Sequence, residues 1–153
     1  MRPDDVGVPD SVVRAVARLL PRPSLMVAAA LIVKGYAEVG DGFAAGVVVA
    51  LAVALIYVAF GAEGAEQGLP MLRYAPTLAI GGLLLALASG FFPLAFGEPP
   101  VTHRPTPDEH VVKIGMLELF TPLLFDIGIF LLVVGVLTML LHQLGRPLGE
   151  GRR

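Results

Sequence analysis

Phe120-Thr121-Pro122-Leu123-Leu124-Phe125-Asp126-Ile127-Gly128-Ile129-Phe130 opens the last apolar run of the chain and sets one carboxylate inside a segment otherwise suited to lipid. The run, residues 119–141, is long enough to cross a bilayer at ~1.5 Å per residue, and Asp126 is its only ionisable group. Membrane-insertion scales put the cost of an Asp at a helix centre at about 2.5–3.5 kcal/mol, so such a residue faces protein or water and has a partner. Depth along the helices points to Lys34 as that partner.

The rest of the chain also reads as a membrane protein. Of 153 residues, 56% are hydrophobic and 16% charged, more apolar side chain than a core this small can bury, so lipid must cover the remainder. The absence of cysteine excludes disulfides, thiolate metal sites and a thiol nucleophile. A formal net charge of −2 offers no global attraction for nucleic acid. Arg2, Arg14, Arg18, Arg22 and Pro21 surround the start of the first apolar run, and no small-residue cleavage site follows it, so that span is expected to be retained.

Three regions are expected: a polar amino-terminal segment, 1–21, with a short helix; a four-span membrane domain, 22–143; and a polar tail, 144–153. In the first, Val12, Val13, Val16, Leu19 and Leu20 share one helical face and Arg14 and Arg18 lie on the other. Asp10 or Ser11 can cap this helix and Pro21 ends it, which predicts a segment lying in the membrane interface. A continuous extension of the first span is the alternative.

The spans are expected at about 24–39, 42–60, 74–96 and 119–142. Gly40-Asp41-Gly42 reads as a tight turn between the first two. Gly42, Gly46, Ala50 and Ala54 repeat every four residues, as do Gly82, Ala86 and Gly90, forming flat strips on which another helix backbone can approach closely. Residues 61–73, with Glu63, Glu66, Pro70 and Arg73, read as a hydrophilic connection. Residues 97–113 form the longest loop; its His103, Asp108, Glu109 and His110 lack a spacing that would fix metal ligands. Arg2, Arg14, Arg18, Arg22, Arg73, Arg146, Arg152 and Arg153 fall on one side and only Arg104 and Lys113 on the other, which predicts that both termini are cytoplasmic.

With that topology Lys34 lies roughly 15 Å above the inner boundary and Asp126 near 20 Å, close enough to neutralise each other. Such a pair is either a clasp that fixes how the first and fourth spans pack or part of a route. In the second reading Lys34, Glu38, Asp41, Glu118 and Asp126 line a polar seam, and chains of ionisable groups inside membranes carry protons and cations. Four spans enclose little interior, so the small-residue strips and the misplaced charges fit best if other chains supply walls. There is no Gly-rich phosphate loop with a lysine, no metal-binding His pair on a helix and no nucleophile elbow, so no catalytic residue, cofactor or metal site is expected. His142 is expected at the interface beside the last carbonyls of its helix.

Three pieces carry a resemblance: residues 34–46, Lys-Gly-Tyr-Ala-Glu-Val-Gly-Asp-Gly-Phe-Ala-Ala-Gly; residues 56–61, Ile-Tyr-Val-Ala-Phe-Gly; and residues 121–128, Thr-Pro-Leu-Leu-Phe-Asp-Ile-Gly. In this order they resemble the B subunit of Mrp-type multisubunit cation/proton antiporters, the MnhB family, over about 16–141. Lys34 and Tyr36 stand where that family usually has histidines, Val39 at its proline, Asp41 and Ala45 at two of its glycines. The resemblance implies a non-catalytic subunit of a sodium or proton antiporter complex, embedded in lipid beside the carboxy-terminal part of the large A subunit. Asp126 matches the family's fourth-span aspartate, and Gly40, Gly42, Phe43 and Gly46 match its first loop, with Pro122 and Gly128 flanking Asp126. Related B-like subunits also serve membrane-bound hydrogenases and other complex I-like assemblies, so a redox-complex subunit is the alternative.

Overall fold

The computed structural model describes residues 10–34, 40–69, 73–97, 99–100, 113–114, 117–118 and 121–145. The chain is an all-α membrane fold with four helices long and apolar enough to cross a bilayer. Helix α1 is Asp10–Leu19, α2 Pro21–Lys34, α3 Asp41–Gly68, α4 Ala75–Phe91 and α5 Thr121–Gly145. A 3-10 helix, Phe92–Phe96, continues α4 to a left-handed cap at Gly97. Ahead of α5, Lys113–Ile114 and Leu117–Glu118 pair as a two-residue antiparallel ladder, with Lys113 opposite Glu118.

The helices stand in a row. The largest interface is α4 with α5, followed by α3 with α5 and α2 with α3, and α2 barely meets α5. The order α2, α3, α5, α4 therefore leaves two broad faces, one on each side of the row, from which Leu25, Met26, Leu51, Val58, Ile80 and Leu84 project. In hydrocarbon such faces carry no penalty.

Glycine sets the spacing within the row. A Cβ on Gly128 would lie 2.6 Å from the Ala86 nitrogen, and one on Gly82 would lie 2.6 Å from the Gly128 carbonyl oxygen. Two turns further along, Gly135 sits against Ala75 and Ala79. The Gly82 and Ala86 strip is thus met by a second strip on α5, and the two backbones touch. Gly42 and Gly46 perform the same role between α3 and α5, against the Asp126 backbone and against Phe130 and Val133. Gly90, the third member of the α4 strip, meets only the Phe125 ring, at 3.8 Å.

Two expected boundaries move. The amino-terminal helix does not peel away at Pro21. Backbone bonds from Leu20 N–H to Val16 and from Ser24 N–H to Leu20 carry the helical ladder across the junction, and Pro21 and Pro23 fall in the first turn of α2, where a missing donor costs little. Ala17 is buried with Val53, Ile56, Tyr57 and Ala65, while Ala28 is buried with Ala45 and Val49, so α1 and α2 together run antiparallel along α3. The basic face is used in this packing, since the Arg18 guanidinium lies 5.2 Å from the centre of the Phe60 ring. The continuous extension is the arrangement adopted.

The second change is at 61–68, expected as a connection and found as helix. Gly61 (φ 72, ψ 179) redirects the chain and α3 resumes through Ala62, Glu63, Ala65 and Glu66, anchored by Ala65, which is wholly buried. The part of α3 before the bend at Gly61 is already about 30 Å long, the thickness of a hydrocarbon core, so the extension is helix in addition to what a span needs. Gly61 has open space around it, and any cost of substituting it is conformational. Gly61→Ala is expected to destabilise the chain by about 1–2 kcal/mol through positive φ alone, read from thermal unfolding in detergent.

Candidate functional site

Asp126 lies one and a half turns into α5, and its side chain is 1% exposed. The Gly40 N–H donates to both carboxylate oxygens, at 3.2 and 3.4 Å. Gly40 is the N-cap of α3 and has φ 122, a conformation that brings its amide round to face α5. Asp126 therefore sits at the amino-terminal end of a 28-residue helix, where unpaired N–H groups and the helix dipole favour an anion. Gly42 allows the approach, because its α-carbon rests on the Asp126 backbone with no room for a side chain.

Lys34, the last residue of α2, places its ammonium 3.1 Å from Asp41 Oδ2. A cation at the end of α2 and an anion in the first turn of α3 each complement the dipole of their own helix. The side chains are 62% and 23% exposed, so this bridge is worth at most about 1 kcal/mol, and its consequence is positional. Asp41 follows directly on Gly40, whose amide faces the buried carboxylate.

The structure thus brings Lys34, Gly40, Asp41, Gly42 and Asp126 to one end of the row, at the turn between α2 and α3. Depth estimates place Lys34 near mid-membrane because they begin the first span at residue 24. The helix actually runs from Ser11, 24 residues or ~36 Å, which carries Lys34 to its far end. Lys34 reaches Asp41, and the Gly40 amide reaches Asp126. Glu38 lies outside the described residues. Glu118 is placed by its backbone in the short ladder before α5. Pro122 is in the first turn of α5, where it needs no N–H partner. Phe43 is 59% exposed and projects from α3 beside the site.

Sequence reasoning missed two contributions. The amide of Gly40 escapes it because a backbone donor has no residue type to search for, although the Gly-Asp-Gly turn marks a chain that can adopt positive φ. The α5 glycines carry no message singly; the spacing of Gly128 to Gly135, two helical turns, is the available signal. The acid and histidine loop 101–110 lies outside the described residues; among the described residues no three His, Asp or Glu side chains converge as metal ligands.

Fold and site together define a class: a small membrane protein of four spanning helices in an open row, with a buried carboxylate held at a helix terminus. Comparison with known proteins gives the family. Residues 12–139 match the family described as a domain related to the MnhB subunit of Na+/H+ antiporter, and the chain belongs to it. It is 34% identical over 108 residues to the B subunit of the Na(+)/H(+) antiporter of Alkalihalophilus pseudofirmus, covering 70% of this chain and 73% of that protein. It is 28% identical over 137 residues to the B subunit of the Na(+)/H(+) antiporter of Bacillus subtilis, covering 89% and 93%. A third relative, the A/B subunit of a probable K(+)/H(+) antiporter of Rhizobium meliloti, is 34% identical over 121 residues, which are 78% of this chain and 12% of that protein.

Proposed function

We propose that this chain is the B-type subunit of a multisubunit cation/proton antiporter and that Asp126 is a charged station on the wall it shares with a neighbouring subunit. Two relatives are named as the B subunit of a Na+/H+ antiporter, and a third carries its matching stretch inside a chain named as an A/B subunit. That third case supports an A-type neighbour, which we place, as the family resemblance implies, at the carboxy-terminal part of the large subunit. The cation is monovalent on the same grounds. Arginine placement supports both termini in the cytoplasm, which sets the Asp126 end of the row at the outer boundary.

The observation that carries the reading is a carboxylate 1% exposed that is held by a backbone amide at a helix terminus, with Lys34 and Asp41 one step outward. A helix terminus offers an anion a fixed partial charge without consuming a mobile cation. A carboxylate so placed is a group that a proton or monovalent cation at the shared wall can bind. Cations bind carboxylate oxygens readily when few waters compete.

Asp126→Asn keeps an oxygen for the Gly40 N–H and removes the charge. In the assembled complex, reconstituted in vesicles, cation-driven proton exchange is expected to fall about tenfold, equivalent to ~1.4 kcal/mol of barrier, while the subunit still copurifies with its neighbours. Loss of copurification, with normal exchange in whatever complex survives, would assign Asp126 to packing alone.

A further inference from the structure

The opposite end of the row, ~24 Å along α5 from Asp126, holds a second group of polar side chains. A cavity of about 580 Å³ opens there between α3, α4 and α5, lined by Glu66, Arg73, Thr138, His142 and Gln143 among apolar neighbours. Its level in the membrane follows from Tyr57, whose hydroxyl lies 3.4 Å from His142 Nδ1 and which stands one turn before Gly61, where the straight part of α3 ends. The cavity is therefore at the boundary of the hydrocarbon core, the depth of lipid headgroups.

Two groups on its wall have bonding capacity left over. Thr138 is 3% exposed, yet its hydroxyl makes no hydrogen bond among the described residues, whereas the Ser89 hydroxyl of α4 donates to the Leu85 and Ala86 carbonyls of its own helix. No side-chain oxygen or nitrogen among the described residues is both sealed off and unbonded, so the Thr138 oxygen meets the cavity it lines. The second group is Arg73. Its guanidinium donates to the Tyr74 hydroxyl and lies 4.6 Å from the centre of that ring, which fixes the group and occupies part of its donor fork. Among the described residues no carboxylate pairs with it; Glu66, the acid on the same wall, is turned to His142 Nδ1 at 3.1 Å. Ala75 and Pro76 open α4 at the cavity, with no side chain capping the first amides, and that helix end also favours an anion.

A guanidinium, a hydroxyl and a helix start together suit an anion with several acceptor oxygens, and phosphate is the group they bind best. The surface leading away from the cavity indicates what carries the phosphate. Seven residues make nearly two turns, so Leu131 and then Leu124 continue the Thr138 face of α5 toward and past the membrane centre. Both are partly exposed, on a helix flanked by α3 and α4. Donors for a phosphate thus stand at headgroup depth above an apolar track. We propose that this cavity binds one membrane phospholipid, with its phosphodiester on Arg73 and Thr138 and an acyl chain along Leu131. The site uses neither Asp126 nor a partner chain, so it stands apart from the transport role proposed above.

The test uses the full chain in maltoside micelles, which carry no phosphate, and phosphatidylglycerol with a photoactivatable diazirine midway along one acyl chain, kept below saturation. Crosslinked peptides are quantified by mass spectrometry. Yield on the α5 peptide containing Leu131 is divided by yield at Leu25 and Met26 of α2, which are exposed on the open row and report lipid that merely surrounds the protein. The ratio is expected to lie well above one. Arg73→Gln is expected to lower it about tenfold, as loss of a hydrogen bond between charged groups does, and Thr138→Val about threefold. Arg73 is exposed and valine keeps the shape of threonine, so both variants leave the fold intact. Arg14→Gln, at an exposed arginine of α1, is expected to change nothing. Glycerol phosphate at the concentration of the probe is expected not to compete; displacement by it would assign the cavity to a free phosphate and overturn the lipid. A ratio near one in the unsubstituted chain, which would leave the cavity to a neighbouring subunit, overturns the site, as does an unchanged ratio in Arg73→Gln or Thr138→Val.

Discussion

Leucine in place of Gly128 is expected to abolish accumulation of the folded chain in membranes. A Cβ at this position would meet the Ala86 nitrogen at 2.6 Å and the Gly82 carbonyl oxygen at 2.9 Å, and both are backbone atoms of α4 that cannot rotate aside. Relief requires the helices to separate by roughly an ångström at the largest interface in the chain, where dispersion between close backbones is the attraction. Overpacking in a core that can adjust costs about 1–3 kcal/mol, and a backbone that cannot adjust exceeds that range. The reciprocal change, Gly82→Leu, is expected to behave in the same way. Gly81 supplies the control: it is exposed on the neighbouring face of α4 with nothing within reach of a Cβ, so Gly81→Ala is expected to stabilise by about 0.5–1 kcal/mol through helix propensity. Yield of monodisperse protein after detergent extraction, with the unfolding midpoint, separates the two. Equal behaviour of Gly128→Leu and Gly81→Ala would remove the backbone contact from the account.

The open row leaves much of each helix uncovered by the rest of the chain. A closed four-helix bundle could bury a charge among its own helices, but α2 and α4 sit at opposite ends here and leave α3 and α5 open on both sides. Among the described residues Asp126 is met by the Gly40 amide, and Gly42 packs on its backbone. Phe43 of α3 is exposed beside this site.

How far the sequence can be read follows from which interactions have a residue type attached. Runs of apolar residues mark all four spans, because lipid demands length and composition together. The third span falls within a residue of its expected place at both ends, helped by Pro76 near its start and Gly97 at its close. Polar helix is invisible to the same signal: residues 61–68 are helical but carry Glu63 and Glu66, and hydropathy reports the solvent and not the backbone. The first helix also begins earlier than the apolar run does, at Ser11, so counting from residue 24 shortens it by more than half. Asp126 stands out as a lone acid, whereas its hydrogen-bond donor, a glycine amide reached through positive φ, carries no side chain to search for.

Gly42→Val is expected to separate the packing of the site from its charge. Gly42 and Gly40 are two residues apart, and both are glycine for different reasons. Gly42 is helical, and a side chain there would strike the carbonyl oxygen, carbonyl carbon and α-carbon of Asp126, with the carbonyl carbon at 2.8 Å. Gly40 has open space but φ 122, so a side chain strains the backbone without touching α5. Valine at 42 pushes the amino-terminal end of α3 off α5 and withdraws the Gly40 amide from the buried carboxylate. Losing a hydrogen bond to a charged group adds about 1.5–3 kcal/mol to the steric cost, so the subunit is expected to be lost from the complex altogether. Gly40→Ala leaves that interface in contact and is expected to retain assembly at a conformational cost of about 1–2 kcal/mol, with exchange reduced because the amide no longer points at the carboxylate. In Gly42→Val, combining Asp126→Leu removes the charge but not the clash. Assembly, read by copurification of the neighbouring subunits, should therefore recover only slightly. Full recovery would show that the carboxylate, and not the contact between backbones, decides whether α3 and α5 hold together.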